Sequence, residues 1–352
     1  MKNTLLFAGL LLLFVLAACL NNAPDEQAEE GTDVEEASEE EVNSEISEEA
    51  DSKVTTPLTG VHTEKISPKR PLAAVINNHP KARPHSGLPE ADVVYEVLTE
   101  GDVTRLLALY QSKEPEEIGT VRSARGYFIE LADGYDAMFI AHGWSPEAER
   151  MLQSGETPFI NGLHYDGTLF QRSSDRPAPH NSYISYEDAL TGLAEKNYDL
   201  EKETEPLRFR TGDADSEGVW EDAENVDVQY GSTYTASYKY DESEKVYARS
   251  SDGETTVDKN TKKPVKPSNV FIVEAPHQVI DRDGRRQISL EDGGNALLLQ
   301  RGKSLSVQWK NENGRILPKL EGETIPFVPG QTWIHIVPAA SGLSEMVSGI
   351  KE

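Results

Sequence analysis

Asp92-Val93-Val94-Tyr95-Glu96-Val97-Leu98, then Gly101-Asp102, then Arg105-Leu106-Leu107-Ala108-Leu109-Tyr110-Gln111: two apolar runs rich in β-branched and aromatic residues flank a turn signal. The pattern reads as an antiparallel hairpin, Val93 to Leu98 against Arg105 to Tyr110. Glu96 is out of place on such a strand. Pairing Leu98 with Arg105 puts Glu96 on the diagonal from that arginine, and a cross-strand ion pair then accounts for it.

Working outward, Pro71 to Ile76 and Ala137 to His142 are further short apolar runs bounded by turn formers, and both read as strands. Helices are placed by their starts. Ser123 precedes Ala-Arg-Gly-Tyr-Phe-Ile-Glu-Leu-Ala, and Ser145-Pro146-Glu147 combines a capping serine, a first-turn proline and an acid. A third helix fits Tyr186 to Lys196. From Val226 onward the pattern changes to short alternating segments: Thr233 to Tyr240, Val246 to Arg249, Val270 to Glu274, Ala296 to Gln300, Leu305 to Trp309 and Trp333 to Val337. The fold class is therefore α+β: a mixed α/β N-terminal domain over residues 67–205, followed by a mostly antiparallel β C-terminal domain over residues 206–346. Asp281 to Gly284 matches half of a calcium loop, but Arg285 and the absent closing Glu make it a tight turn.

Before this body the composition changes twice. Lys2 precedes an apolar run from Leu5 to Leu16, shorter than the about 20 residues a membrane span requires, as in the core of a signal peptide. It ends in Leu16-Ala17-Ala18-Cys19, which resembles the lipobox of bacterial lipoproteins, so residues 1–18 read as a signal and Cys19 as the lipidation site. Cys19 is the chain's single cysteine, leaving no partner for a disulfide. Residues 19–66 then read as a disordered acidic tether. Fourteen Asp or Glu and no Lys or Arg lie between Asp25 and Asp51, about half of the net charge of −27. A coil over residues 20–66 spans roughly 40 Å root-mean-square. The expected location is the outer face of the cytoplasmic membrane, with the membrane itself as partner through Cys19. The acidic body argues against nucleic acid as a partner.

Residues 70 to 182 hold the candidates for chemistry. Arg122 and Arg125 flank Ser123 at the expected helix start, where two cations at an already positive end call for an anion, either a ligand or an internal carboxylate such as Glu96 or Asp133. Arg105, Arg122, Ser123 and Arg125 are the candidate anion binders. Glu96, His142, His180 and Asn181 are candidates for acid–base work or a polar cleft. His142, His164 and His180 lack zinc spacing, so no metal is expected, and no cofactor fingerprint or nucleophile elbow is present.

Several of these residues carry a likeness. Pro71-Leu-Ala-Ala-Val-Ile-Asn-Asn78, Ala82-Arg83-Pro84-His85-Ser86-Gly87-Leu88, Ala91-Asp-Val-Val-Tyr-Glu96, Thr104-Arg105 and Ile118-Gly-Thr-Val-Arg-Ser-Ala-Arg125 are followed later by Pro179-His180-Asn181 and Pro329-Gly-Gln-Thr-Trp-Ile334. Together these resemble the YerB-type lipoproteins of Gram-positive bacteria, a family defined by a domain of unknown function with N- and C-terminal parts. Thr120 departs from the proline expected there. The resemblance implies a lipid-anchored extracytoplasmic protein and brings no activity, catalytic residue or cofactor. Two readings follow. One is a binding or scaffold lipoprotein of the cell envelope, with the cell wall and envelope proteins as candidate partners. The other is a hydrolase or transferase whose Arg105, Arg122 and Arg125 clamp an anionic envelope substrate, with Glu96 or His180 as acid or base. They part on whether these residues converge in one open cleft.

Overall fold

The hairpin forms one residue out of the expected register. In the computed structural model, which describes residues 54–212 and 218–351, strand β1 is Leu72–Asn77, β2 is Val93–Leu98 and β3 is Thr104–Tyr110. Across the hairpin Val97 faces Arg105 and Leu98 faces Thr104. The loop sets this offset: Thr99 N–H donates to Val103 O at 2.9 Å and Val103 N–H to Glu100 O at 3.1 Å, with Gly101 at φ +57°. Because side chains alternate, a slip of one residue exchanges faces. Glu96 and Arg105 therefore lie on opposite faces of the sheet, and the expected ion pair between them does not exist.

Next come β4 (Glu117–Gly119), α1 (Gly126–Asp133), β5 (Met138–Ala141), α2 (Pro146–Gln153), β6 (Phe159–Asn161), β7 (Phe170–Arg172), β8 (Ser182–Ser185) and α3 (Tyr186–Glu195). Ser145 caps α2 as expected, its Oγ accepting from Ala148 N–H at 3.2 Å. Ser123 does not cap α1. Arg125 holds that position in extended conformation (φ −133°, ψ 154°) without a side-chain cap.

The second half supplies β9 (Asn225–Tyr230), β10 (Tyr234–Asp241), β11 (Val246–Ser251), β12 (Asn269–Ala275), β13 (Gly294–Gln300), β14 (Lys303–Glu312), β15 (Arg315–Leu320) and β16 (Thr332–Pro338). Each expected segment is a strand, and β12–β13–β14–β15 pair antiparallel. Asp281 to Gly284 forms the expected turn, with Asp281 Oδ1 accepting from Asp283 and Arg285 N–H.

The halves do not keep separate sheets. β16 runs parallel to β12 on one side and to β2 on the other. Among the described residues this joins twelve strands into one sheet, in which β15-β14-β13-β12-β16-β2-β3-β1-β5-β6 are consecutive. The parts on either side of the expected division at residue 205 thus share this sheet. Central strands β1, β2 and β3 are buried on both faces, which is why they read as continuous apolar runs. One face packs on α1 and α2 through Phe128, Leu131, Ala148 and Leu152. The other packs on α3 and on the sheet built from β9, β10 and β11, through Tyr186, Leu193, Val228, Tyr234 and Tyr247.

The body also begins earlier than expected. Val54 and Thr55 pair with Thr63 and His62, Leu58 is buried in the core, and Gly330 N–H donates to Thr59 O at 2.7 Å. The tether reading therefore fails for residues 54–66. The signal at 1–18, Cys19 and the acidic run from 25 to 51 lie outside the described residues.

Candidate functional site

Glu96 is fully buried and closed off by donors. Its Oε1 accepts from Tyr234 OH at 2.7 Å, Asn78 Nδ2 at 3.0 Å and Thr104 Oγ1 at 3.0 Å. Its Oε2 accepts from Arg249 Nη2 at 2.8 Å and Trp333 Nε1 at 3.0 Å. Arg249 is equally buried, lies over the Trp333 ring at 4.2 Å and donates to Ser251 and Thr256 hydroxyls. Burial alone would raise the Glu96 pKa, but the Arg249 charge and these donors outweigh it and hold the carboxyl down to about 2. An ionised, five-donor carboxylate with no solvent access cannot trade protons with a substrate. Glu96 is a structural partner of Arg249, not an acid or base.

On the opposite face Arg105 and Arg125 share Glu100. Arg105 donates to Glu100 Oε2 at 2.8 Å and to Ser123 O at 3.0 Å. Arg125 donates to Glu100 Oε1 and to Ala124 O. Burial, then the neighbouring Arg125 charge, pushes Arg105 down to about 9. Two guanidiniums against one carboxylate leave a positive excess, and Arg125 Nε and Tyr127 OH are buried without a hydrogen-bond partner. The Glu147 carboxyl packs beside the start of α1, a Cβ on Gly126 lying 3.1 Å from its carboxyl carbon. Ser123 serves the backbone instead, its Oγ donating to His142 O at 3.2 Å.

Arg122 differs from its neighbours. Its backbone is pinned, N–H to Val75 O at 2.8 Å and O from His142 N–H at 3.0 Å. Its half-buried guanidinium makes no hydrogen bond or ion pair among the described residues. Burial lowers its pKa, Glu100 opposes this, and the charges of Arg125 and Arg172 add to it. His79 and His180, both within range of its charge, stack at 4.6 Å between centroids. Asn77 fixes one ring: its Oδ1 accepts from His79 N–H, so its Nδ2 donates to His180 Nδ1 at 2.9 Å. Lys81 N–H fixes the other by donating to His79 Nδ1 at 3.1 Å. Both neutral rings must then carry their proton on Nε2. Partial burial followed by nearby positive charge, Arg122 included, lowers both pKa values and keeps the rings neutral. The cluster therefore presents donors, Arg122 and two Nε2–H groups, with no acceptor from the protein among the described residues.

His142 stands at the edge of this cluster and is not a base. Its Nε2 accepts from Arg172 Nη2 at 2.8 Å, so its Nδ1–H donates to Ser182 Oγ at 2.7 Å. Burial, then Arg172, pushes it down to about 4. An imidazole that already donates to a serine cannot accept that serine's proton, which sets the pair apart from a nucleophile and its base. Asp166 holds Arg172 from the far side at 2.9 Å, and Asn181 Oδ1 accepts from Arg172 Nη1 at 3.2 Å.

The structure thus gathers Arg122, His142, His180 and Asn181, leaves Arg105 and Arg125 tied to Glu100, and removes Glu96 to another face. His79, Asn77, Arg172, Ser182 and Asp166 complete the region. His79, Asn77 and Arg172 are legible as polar residues in a crowded stretch, whereas no local signal marks Ser182 or Asp166.

Comparison with known proteins supports a single assignment. Residues 58–199 match the N-terminal domain, and residues 226–334 the C-terminal domain, of a protein of unknown function, DUF3048. A Bacillus subtilis (strain 168) protein named "Putative lipoprotein YerB" is 51% identical over 290 residues, 81% of this chain and 87% of that one. The crystal structure of YerB protein from Bacillus subtilis superposes with a TM-score of 0.78 at 48% identity, covering 85% of this chain and all of that one. Family matches on both halves and half-identity across most of the chain, on a shared fold, mean that this chain belongs to the two-part DUF3048 family of YerB-type proteins.

Proposed function

We propose that this protein is a lipid-anchored binding protein of the cell envelope that holds a phosphate- or carboxylate-bearing ligand at Arg122. The observation that carries the reading is the donor-only cluster of Arg122, His79 Nε2–H and His180 Nε2–H. A half-buried cation beside two neutral donors, in a chain of net charge −27, is stabilised by an anion that completes it. The hydrolase or transferase reading draws on Glu96 or His180 as acid or base, and of these Glu96 is buried among five donors; a binding role needs no proton carrier.

The test is ligand-linked stability of the full chain in detergent, with inorganic phosphate as the probe. At a hundred times its dissociation constant, phosphate is expected to stabilise the fold by about 2.7 kcal/mol. Arg122→Ala should keep the ligand-free melting temperature and lose this gain. Arg125→Ala, which strips Glu100 and Ala124 O of a buried partner, should melt early with or without phosphate. Phosphate that stabilises Arg122→Ala as well as the parent would sink the reading.

The anchor is proposed on Leu16-Ala17-Ala18-Cys19 and on the lipoprotein name of the Bacillus subtilis relative. Cys19→Ala should abolish incorporation of labelled fatty acid and release the protein from membranes, since stable anchoring takes more than one acyl chain. Label on the variant would defeat the assignment.

A further inference from the structure

A cavity of about 320 Å³ opens between the turn at residues 80–85 and the tip of β11, walled by Pro80, Arg83, His85, Asp252, Glu254 and Thr255 among others. That volume is at the small end of ligand pockets, which run roughly 300–1,000 Å³. His85 is its unusual member. Its Nε2 lies 2.9 Å from Asn77 O, a carbonyl that can only accept, so Nε2 carries the proton and Nδ1 is a bare lone pair. That Nδ1 is buried and has no hydrogen-bond partner. A buried acceptor left without a donor is costly and is an exception in native folds.

The rest of the wall offers both senses of hydrogen bond. Arg83 spends Nη1 on Asp252 Oδ2 at 2.6 Å and Nε on Asn78 O at 3.1 Å, leaving Nη2 as a donor. Glu254 is exposed, with no ion pair among the described residues, and Thr255 adds a hydroxyl. An ammonium ligand only donates and would leave Arg83 facing a cation. A phosphate only accepts and would face two carboxylates. Hydroxyl groups do both, and the proline rings of Pro80 and Pro84 give an apolar surface for the C–H face of a sugar ring.

We propose that this cavity is a saccharide site, taking one pyranose ring whose hydroxyls meet Arg83, Asp252, Glu254 and Thr255 above the buried His85 ring. It stands on the cavity alone and does not require the anion site. The two abut, since Pro80 lines the cavity and His79 belongs to the Arg122 cluster, so a phosphorylated saccharide is the ligand that would engage both.

Calorimetric titration of the full chain in detergent with N-acetylglucosamine and with glucose tests this, alongside ¹⁵N spectra of the histidine rings. At least one sugar is expected to bind and to move the His85 Nδ1 resonance. Thr255→Trp, which places a large ring on the exposed rim of the cavity, should weaken sugar binding at least tenfold and leave the phosphate response unchanged, whereas Thr255→Ser should bind as the parent does. Arg122→Ala should lose phosphate and keep sugar, so failure of one site is distinguishable from failure of the other. The proposal is overturned if neither sugar binds, if Thr255→Trp binds as tightly as the parent, or if methylammonium displaces the sugar at equal concentration.

Discussion

Glu96→Ala and Arg249→Ala are each expected to lower folding stability by about 3–5 kcal/mol, a fall in melting temperature on the order of 10 °C. Both side chains are fully buried and 2.8 Å apart. Removing one leaves the other charged in a place where water cannot reach it, and the remaining donors make this worse. Without Glu96, Tyr234 OH, Asn78 Nδ2, Thr104 Oγ1 and Trp333 Nε1 lose their shared acceptor. Without Arg249, the Ser251 and Thr256 hydroxyls lose the guanidinium that donates to them. The pair also ties β2 to β11, so the loss should appear as weaker cooperation between the two halves of the chain. Denaturant midpoints for both variants and for the double variant check this. Singles that unfold within 1 kcal/mol of the parent would show the pair to be dispensable, far below the cost that a stranded buried charge carries.

Acid is expected to weaken the fold in two overlapping stages. His335 is fully buried between Tyr230 OH at 2.8 Å and Tyr238 OH at 2.6 Å, and burial pushes its pKa down to about 4. Burial, then Arg83, pushes His85 down to about 3. For both, the unfolded chain binds a proton near 6.5 while the fold resists it. Stability is therefore intact above about pH 6.5 and falls as pH drops towards 4 and then 3, at about 1.4 kcal/mol per pH unit for each histidine. Glu96 acts in a lower window. Its pKa of about 2 lies below its ordinary value of 4.5, so its contribution is whole above 4.5 and is lost as pH falls through 2. Unfolding midpoints at pH 7.5, 5.5 and 4 should decline steadily, and His335→Asn should flatten the upper stage. A midpoint that holds level from pH 7.5 to 4 would contradict the burial of neutral histidines.

Local order is what the sequence by itself determined. Short apolar runs bounded by Gly, Pro, Asn and Asp mark the strands, Ser145-Pro146-Glu147 marks the start of α2, and the change to alternating segments marks the second half, because periodicity and capping act over a few neighbouring residues. The two-part family likeness is legible for the same reason, being carried by contiguous motifs such as Ile118 to Arg125. Tertiary structure alone decided which charge meets which. The hydrogen bonds inside the Thr99–Val103 loop moved Arg105 opposite Val97, and that single step sent it to Glu100 and sent Glu96 to the other face. The arginine that neutralises Glu96 is 153 residues away, on a strand whose polar and apolar residues alternate like those of any half-exposed sheet. β16 joins β2 from further still along the chain, Trp333 lying 237 residues beyond Glu96, to make one sheet of two motifs. Arg122 is set apart by the absence of a hydrogen-bond partner for its guanidinium among the described residues, and a side chain's partners depend on the packing of the whole body around it, which no local window of sequence contains.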